Sequence, residues 1–296
     1  MLTLRLSSSV AARLGEYVQL TKPRIAVLLV FTAFAALFVA ARGLPSISIT
    51  LGTILGGWLA AAGASALNQY LERDLDAQMS RTRGRPLPSG RMAPVNALLF
   101  GLGLLTWSFL TFMLMVNALA AVLALIGALY YIVVYTLLLK RTTAFNVVIG
   151  GAAGGFPVLV GWSAATGTLE LGALLLFGIV FFWTPPHSWA LALLVHGDYE
   201  RGAVPMMPVR HGEPHTRVQI VWYSVHLIVI TLLVYAAGIL GTLYLISALL
   251  LSVWLLWHAL RLLREPSKVA AKRLYKVSSF YLMLLFLSMM IDMLIH

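Results

Sequence analysis

Leu51-Gly-Thr-Ile-Leu-Gly-Gly-Trp-Leu-Ala-Ala-Ala-Gly-Ala-Ser-Ala-Leu-Asn68-Gln-Tyr-Leu-Glu72-Arg-Asp74-Leu-Asp76 is an apolar run that ends abruptly in acid. Extended back to residue 48, its apolar part reaches the roughly 20 helical residues that a hydrocarbon core requires. Three of the chain's ten carboxylates lie within five residues at its end. The stretch therefore reads as a membrane helix meeting water at an acidic edge, where chemistry on a membrane-dissolved substrate would take place.

Eight further apolar runs of similar length flank this one. With it they give spans at 25–41, 48–70, 94–114, 118–139, 146–165, 171–195, 218–238, 242–263 and 275–295. The fifth is the most interrupted, by Gly150, Gly151, Gly154, Gly155 and Pro157, and its glycines would let helices pack closely. A composition of 60% hydrophobic and 10% charged residues leaves no polar segment large enough for a soluble domain. The expectation is one all-α, polytopic membrane domain over 1–296, with residues 1–20 as a short arm that lacks the apolar core of a signal peptide.

Lysines and arginines orient the bundle. Of 21, 20 fall in the arm and in the loops after the second, fourth, sixth and eighth spans; Arg42 is the exception. The positive-inside rule then places the arm and these loops in the cytoplasm and the C-terminus outside. Basic residues flanking membrane helices, next to anionic headgroups, account for the net charge of +11 without a nucleic-acid partner. With no cysteine in the chain, disulfides and thiolate metal sites are excluded.

Two loops on that side are long and polar, 71–93 and 196–217. They follow spans two and six, which suggests two four-helix halves plus a ninth helix. In the first, Asn68, Glu72 and Asp76 are spaced i, i+4, i+8 and share one helix face, with Asp74 on the other. Carboxylate and amide oxygens suit Mg²⁺, which commonly binds through one or two carboxylates plus substrate phosphates. Arg81, Arg85 and Arg91 follow, and Lys22 and Arg24 precede the first span at the same surface. Guanidinium groups bind phosphate oxygens bidentately, so acid beside base suits a metal–diphosphate ester; membrane anchoring is the other reading of each single cation.

The second loop carries Asp198 and Tyr199, and Pro185-Pro186-His187 stands upstream of it. The prolines predict a break or kink in the sixth helix. Asp198 is a second metal or diphosphate contact, or an ordinary helix-terminal acid. His187 either satisfies a carbonyl freed by the prolines or serves a site at membrane depth.

These residues resemble the UbiA superfamily of intramembrane prenyltransferases. Its pattern Asn-x-x-x-Asp-x-x-x-Asp, then Arg-x-x-x-Arg-Pro-Leu-x-x-Gly, is met at Asn68, Glu72, Asp76, Arg81, Arg85, Pro86, Leu87 and Gly90. Within the superfamily the match is to the haem-farnesylating branch, through Met79-Ser-Arg81-Thr82, Thr21-Lys22-Pro23-Arg24, Pro186-His187 and Asp198-Tyr199 to Pro205-Met-Met-Pro208-Val209. Two departures stand out. Glu72 replaces the usual Asp, and His187 replaces the first acid of the second-half Asp-x-x-x-Asp pair.

The resemblance implies a UbiA-type bundle in a bacterial cytoplasmic membrane, transferring farnesyl from farnesyl diphosphate to a vinyl group of haem b to give haem O. It implies Mg²⁺ at Asn68, Glu72, Asp76 and Asp198, with Tyr199 beside them. Diphosphate would lie on Lys22, Arg24, Arg81, Arg85 and Arg91. His187 is a haem-binding candidate, because imidazole is a common ligand of haem iron; the alternative leaves Asp198 alone as the second-half metal contact. Haem A synthase and terminal-oxidase assembly factors are the implied partners. Two other functions stay open, a UbiA-type enzyme with an aromatic quinone precursor as acceptor and a membrane transporter.

Overall fold

The computed structural model describes residues 2–295; Met1, the first residue of the expected arm, and His296 lie outside them. The chain runs α1 Leu2–Thr21, α2 Pro23–Ala40, α3 Ile47–Leu71, α4 Arg73–Gln78, α5 Pro94–Met115 and α6 Ala118–Leu129. A π-helical segment, Tyr130–Leu139, extends α6; α7 Asn146–Gly150, α8 Ala152–Thr166, α9 Leu171–Leu194, α10 His196–Arg201 and α11 Met207–His211 follow. Then come α12 Glu213–Ala236, α13 Thr242–Arg264 and α14 Lys268–Ile295. Counting α6 with its π extension and α7 with α8, nine helical stretches among the described residues are long and apolar enough to cross a membrane. Each expected span falls on one of them, with ends shifted by a few residues.

Small residues decide how closely these helices approach. On α3, Gly63 lies against the Gly101 carbonyl and Leu105 of α5, and Gly56 lies under the Phe112 ring. Ser108 donates to the Gly56 carbonyl at 2.7 Å across the same seam. A Cβ on Gly161 of α8 would run into the Ala33 backbone of α2, and one on Gly155 into the Phe177 ring of α9. The glycines of the fifth span are therefore contact points, as lipid-embedded packing favours.

The core centres on α9, whose Leu176, Ile179 and Trp189 are fully buried. Around it pack α8, α12 and α14, while α14 also touches α2 and α13, so the ninth crossing closes the bundle between the halves. Large apolar side chains such as Trp107, Leu114, Leu250 and Val253 face outward, where lipid is the solvent. Despite Pro185 and Pro186, α9 runs unbroken from Leu171 to Leu194. Of the expected break or kink, the break is absent, because neighbouring helices enclose the segment where two backbone N–H groups are missing.

The two ends differ. At one, short connections are tied by single side chains: Asn117 accepts from the Ala120 N–H and donates to the Ser163 carbonyl, both at 2.8 Å. Asp292 of α14, fully buried, accepts from the backbone of Gly241 at 2.5 Å and of Tyr244 at 3.0 Å. It thereby caps α13 from a different helix, satisfying donors that a helix start leaves open. The other end carries α1, α4, α10, α11 and the long loops, and there the charged residues converge.

Candidate active site

The end of α3 presents the acidic face. Helical hydrogen bonding continues through the junction, from the Glu72 N–H to Asn68 at 2.9 Å and from the Asp76 N–H to Glu72 at 2.7 Å. Asn68, Glu72 and Asp76 thus stay on one side, only 1%, 2% and 3% exposed. Asp74 points away and forms a two-pronged pair with Arg141, both contacts at 2.8 Å. That pairing, above all the Arg141 hydrogen bond, lowers the Asp74 pKa to about 2.

Each inward oxygen donor meets a cation. Lys22 donates to Asn68 Oδ1 at 2.8 Å, Lys140 to Glu72 at 2.5 Å and Arg85 to Asp76 at 2.7 Å. Lys22 reaches in because its backbone, just before Pro23, takes a left-handed turn with φ of 47° between α1 and α2. Such a conformation costs a non-glycine residue free energy and often marks a functional position. Desolvation, and next the Arg85 guanidinium, lower the Lys22 pKa to about 7.

Asp198, 7% exposed, is the fourth donor. From α10 it crosses to the first loop, accepting from the Ser80 hydroxyl at 2.5 Å and from the backbone of Ser80 at 3.2 Å and Arg81 at 3.4 Å. It also pairs with Arg201. The Ser80 hydroxyl, followed by Arg201, holds its carboxyl below the usual range. Beneath this polar bridge, Gly202 sits against Met79 and Leu75, so the second loop folds onto the first. Tyr199 packs against the core beside it, and burial raises its phenol pKa.

The π segment supplies the remaining wall. Its i→i−5 backbone pattern closes where the Lys140 N–H bonds the Tyr135 carbonyl at 2.9 Å, and separately the Thr136 side-chain hydroxyl donates to the Tyr131 carbonyl at 2.9 Å. Thr136 in turn accepts from Asn68 Nδ2 at 3.1 Å, fixing the amide so that Oδ1 faces Lys140's neighbour Lys22. Tyr131 and Tyr135 stack at 5.6 Å between ring centres. π-helical turns are rare and recur at functional sites.

Of the residues expected at the site, Asn68 meets Lys22 and Asp76 meets Arg85, Glu72 lies on the same helix face, and Asp198 reaches the first loop at Ser80 and Arg81. The structure leaves two expected diphosphate residues outside: Arg91 pairs with Glu16 of α1 at 2.7 Å, and Arg24 is exposed at the start of α2. Arg81 reaches Asp198 through its backbone, while its side chain is exposed. Lys140, Arg201, Thr136 and Ser80 were missed. Arg201 and Ser80 stood inside the quoted motifs, but Lys140 read as a membrane anchor.

His187 lies apart, deeper along α9. Its ring is sandwiched between Trp183 at 4.3 Å and Tyr275 at 4.6 Å, and its Nδ1 is 2.8 Å from the Ser278 hydroxyl. A carbonyl freed by the prolines is not its partner.

Among the described residues, no three carboxylate or imidazole side chains converge into a ready metal cage. The donors are nonetheless all hard oxygens, three on one helix face and Asp198 on the loop folded against it, and each is paired with a cation of its own. Such a set fits Mg²⁺ arriving with a phosphorylated substrate, which supplies the missing ligands.

A nine-crossing bundle whose halves each send an acidic loop to one polar end defines an intramembrane enzyme of the prenyltransferase class. The sequence profile of the UbiA prenyltransferase family matches residues 29–288, and the chain belongs to that family. Two relatives named protoheme IX farnesyltransferase align almost end to end. The Symbiobacterium thermophilum protein is 49% identical over 97% of this chain and 96% of its own length, and the Gloeobacter violaceus protein 48% identical over 95% and 93%. A Roseiflexus protein of the same name is 48% identical over 94% of this chain, which spans only 52% of that longer relative. Among solved structures, digeranylgeranylglyceryl phosphate synthase superposes with a TM-score of 0.79 at 19% identity, covering 96% of this chain and 100% of that one. A UbiA homologue from Archaeoglobus fulgidus bound to GPP and Mg²⁺ gives 0.64 at 15% identity, covering 93% and 99%.

Proposed function

We propose that this chain transfers the farnesyl group of farnesyl diphosphate to a vinyl group of haem b, releasing diphosphate and giving haem O. The observation that carries the first half is the matched set of Asn68, Glu72, Asp76 and Asp198 with Lys22, Lys140, Arg85 and Arg201. Support for haem as acceptor comes from relatives named protoheme IX farnesyltransferase that match at 48–49% identity over nearly the whole chain.

The paired charges describe how a diphosphate is received. When it enters, Lys22, Arg85, Lys140 and Arg201 turn from the oxygens they hold to phosphate oxygens, and Asn68, Glu72, Asp76 and Asp198 are the residues that would then hold Mg²⁺. Mg²⁺, when bound, neutralises the diphosphate and makes it a better leaving group. As the C1–O bond breaks, its electron pair goes to the diphosphate, and the four cations stabilise the growing charge in a chamber with little competing water. The stacked Tyr131 and Tyr135 offer π faces to the allylic cation left behind.

The vinyl π bond attacks that cation, and water adds to the carbon beside the porphyrin with loss of a proton. Arg24 and Arg91 play no direct part and act as anchors. The polar end faces the cytoplasm, as the distribution of lysine and arginine predicts.

Purified protein supplied with farnesyl diphosphate, Mg²⁺ and either haem b or 4-hydroxybenzoate tests the acceptor. Mass spectrometry should find hydroxyethylfarnesyl haem with the first and no prenylated product with the second; the reverse result rejects the proposal.

A further inference from the structure

We propose that Ser278, on the ninth crossing, is a positioning residue that fixes His187 as an Nε2 lone-pair donor able to ligate the iron of the bound haem. The proposal rests on the reading of haem as acceptor. It begins with one proton. The Ser278 hydroxyl bonds the Tyr275 carbonyl, one helical turn back, at 2.9 Å. A carbonyl only accepts, and with the single hydroxyl proton on that bond the Ser278 oxygen has only lone pairs to offer elsewhere, although the same carbonyl also takes the Ser279 hydroxyl at 3.1 Å. In the proposal the 2.8 Å contact with His187 is therefore Nδ1–H donating to Ser278 Oγ, the direction that the tautomer measurement below decides.

A neutral imidazole carries one N–H, so Nε2 keeps its lone pair. Metal-bound histidines characteristically donate their other ring N–H to a fixed partner, which sets tautomer and ring orientation. The rest of the surroundings hold the ring still. Trp183 and Tyr275 cover its two faces, and Trp183 is itself tied to α14 by its indole N–H to the Ser278 carbonyl at 2.6 Å. Only the ring edge stays open. Nε2 has no hydrogen-bond partner among the described residues, yet it is not one of the sealed polar atoms. It therefore borders accessible space.

Two readouts test this on the full chain in detergent. Nitrogen NMR of histidine-labelled protein without haem, with the His187 signal assigned from a His187→Asn variant, should show the proton on Nδ1. Ser278→Ala should release the tautomer and weaken haem b affinity about 10- to 100-fold, with loss of the wild-type Soret position. Ser278→Thr, which keeps the hydroxyl, should restore both, and farnesyl diphosphate binding should be unchanged throughout. A proton on Nε2 in the wild type, or a Ser278→Ala protein with unaltered tautomer and haem affinity, overturns the proposal. If Nδ1 carries the proton but His187→Asn leaves the haem spectrum unchanged, the iron-ligation half falls, and farnesyl transfer to haem is judged separately by its product.

Discussion

Four oxygen-bearing side chains at the polar end each face a cation, and burial, not pairing, separates them from their neighbours in the sequence. Asp74 and Asp76 are two residues apart, but Asp76 is buried against Arg85 while Asp74 is exposed against Arg141. Asp76→Ala and Asp198→Ala should each lower the rate of haem farnesylation by about 100-fold or more, the scale on which removing one charge-stabilising contact acts. Asp74→Ala should leave the rate nearly unchanged; equal losses at Asp74 and Asp76 would show that the chamber is misassigned. Arg85→Ala should act like Asp76→Ala, and Arg91→Ala should spare turnover because its guanidinium is engaged by Glu16. The acidic triplet was legible in the sequence because residues four apart share a helix face whatever surrounds them. The Arg91–Glu16 pair was not legible, because a motif gives spacing along the chain and only the fold of the loop shows which way a side chain leaves it.

At the scale of the element, the π segment explains why Lys140 was missed. In an α-helix Lys140 would lie about 140° around the axis from Tyr135; with i→i−5 bonding the two come to nearly the same side. Hydropathy cannot report that change of pitch. Thr136→Val should unfasten the Asn68 amide and raise the KM for farnesyl diphosphate while leaving the helix content by circular dichroism unaltered. A KM equal to that of wild type would remove the segment from the site. The fifth crossing behaves in the opposite way. The glycines named there promised close packing, and the contact of Gly155 with the Phe177 ring delivers it; Gly161, outside that group, packs on the Ala33 backbone in the same way. Gly161→Ala should destabilise the protein by about 1–3 kcal/mol, the usual cost of overpacking, measured as denaturant unfolding in micelles. The double proline in α9 shows the same limit: of the break or kink that local propensity argued for, the break does not occur, because enclosure by three other helices outweighed it.

At the scale of the whole molecule, nine crossings, the polar end and the division into halves were all visible as hydropathy and charge, since a bilayer imposes length and the loops collect cations. Which residues meet across the halves was not visible. The bridge from Asp198 to Ser80 joins positions 118 apart in the chain, and nothing in either loop alone announces it. The absence of cysteine makes sidedness directly readable. In intact cells an impermeant thiol reagent should label Thr168→Cys and spare Ser89→Cys, and the opposite pattern would invert the orientation.

The central claim is that this chamber ionises a prenyl diphosphate and hands the prenyl group to haem. Its most direct measurement is the mass of the haem recovered after incubation of the purified chain with farnesyl diphosphate, haem b and Mg²⁺. The expected product is haem b plus one farnesyl group and one hydroxyl, formed in step with diphosphate release, abolished by chelation and restored by Mg²⁺. Haem recovered unmodified while diphosphate is released, or farnesylated at full rate by Asp76→Ala protein, would contradict it.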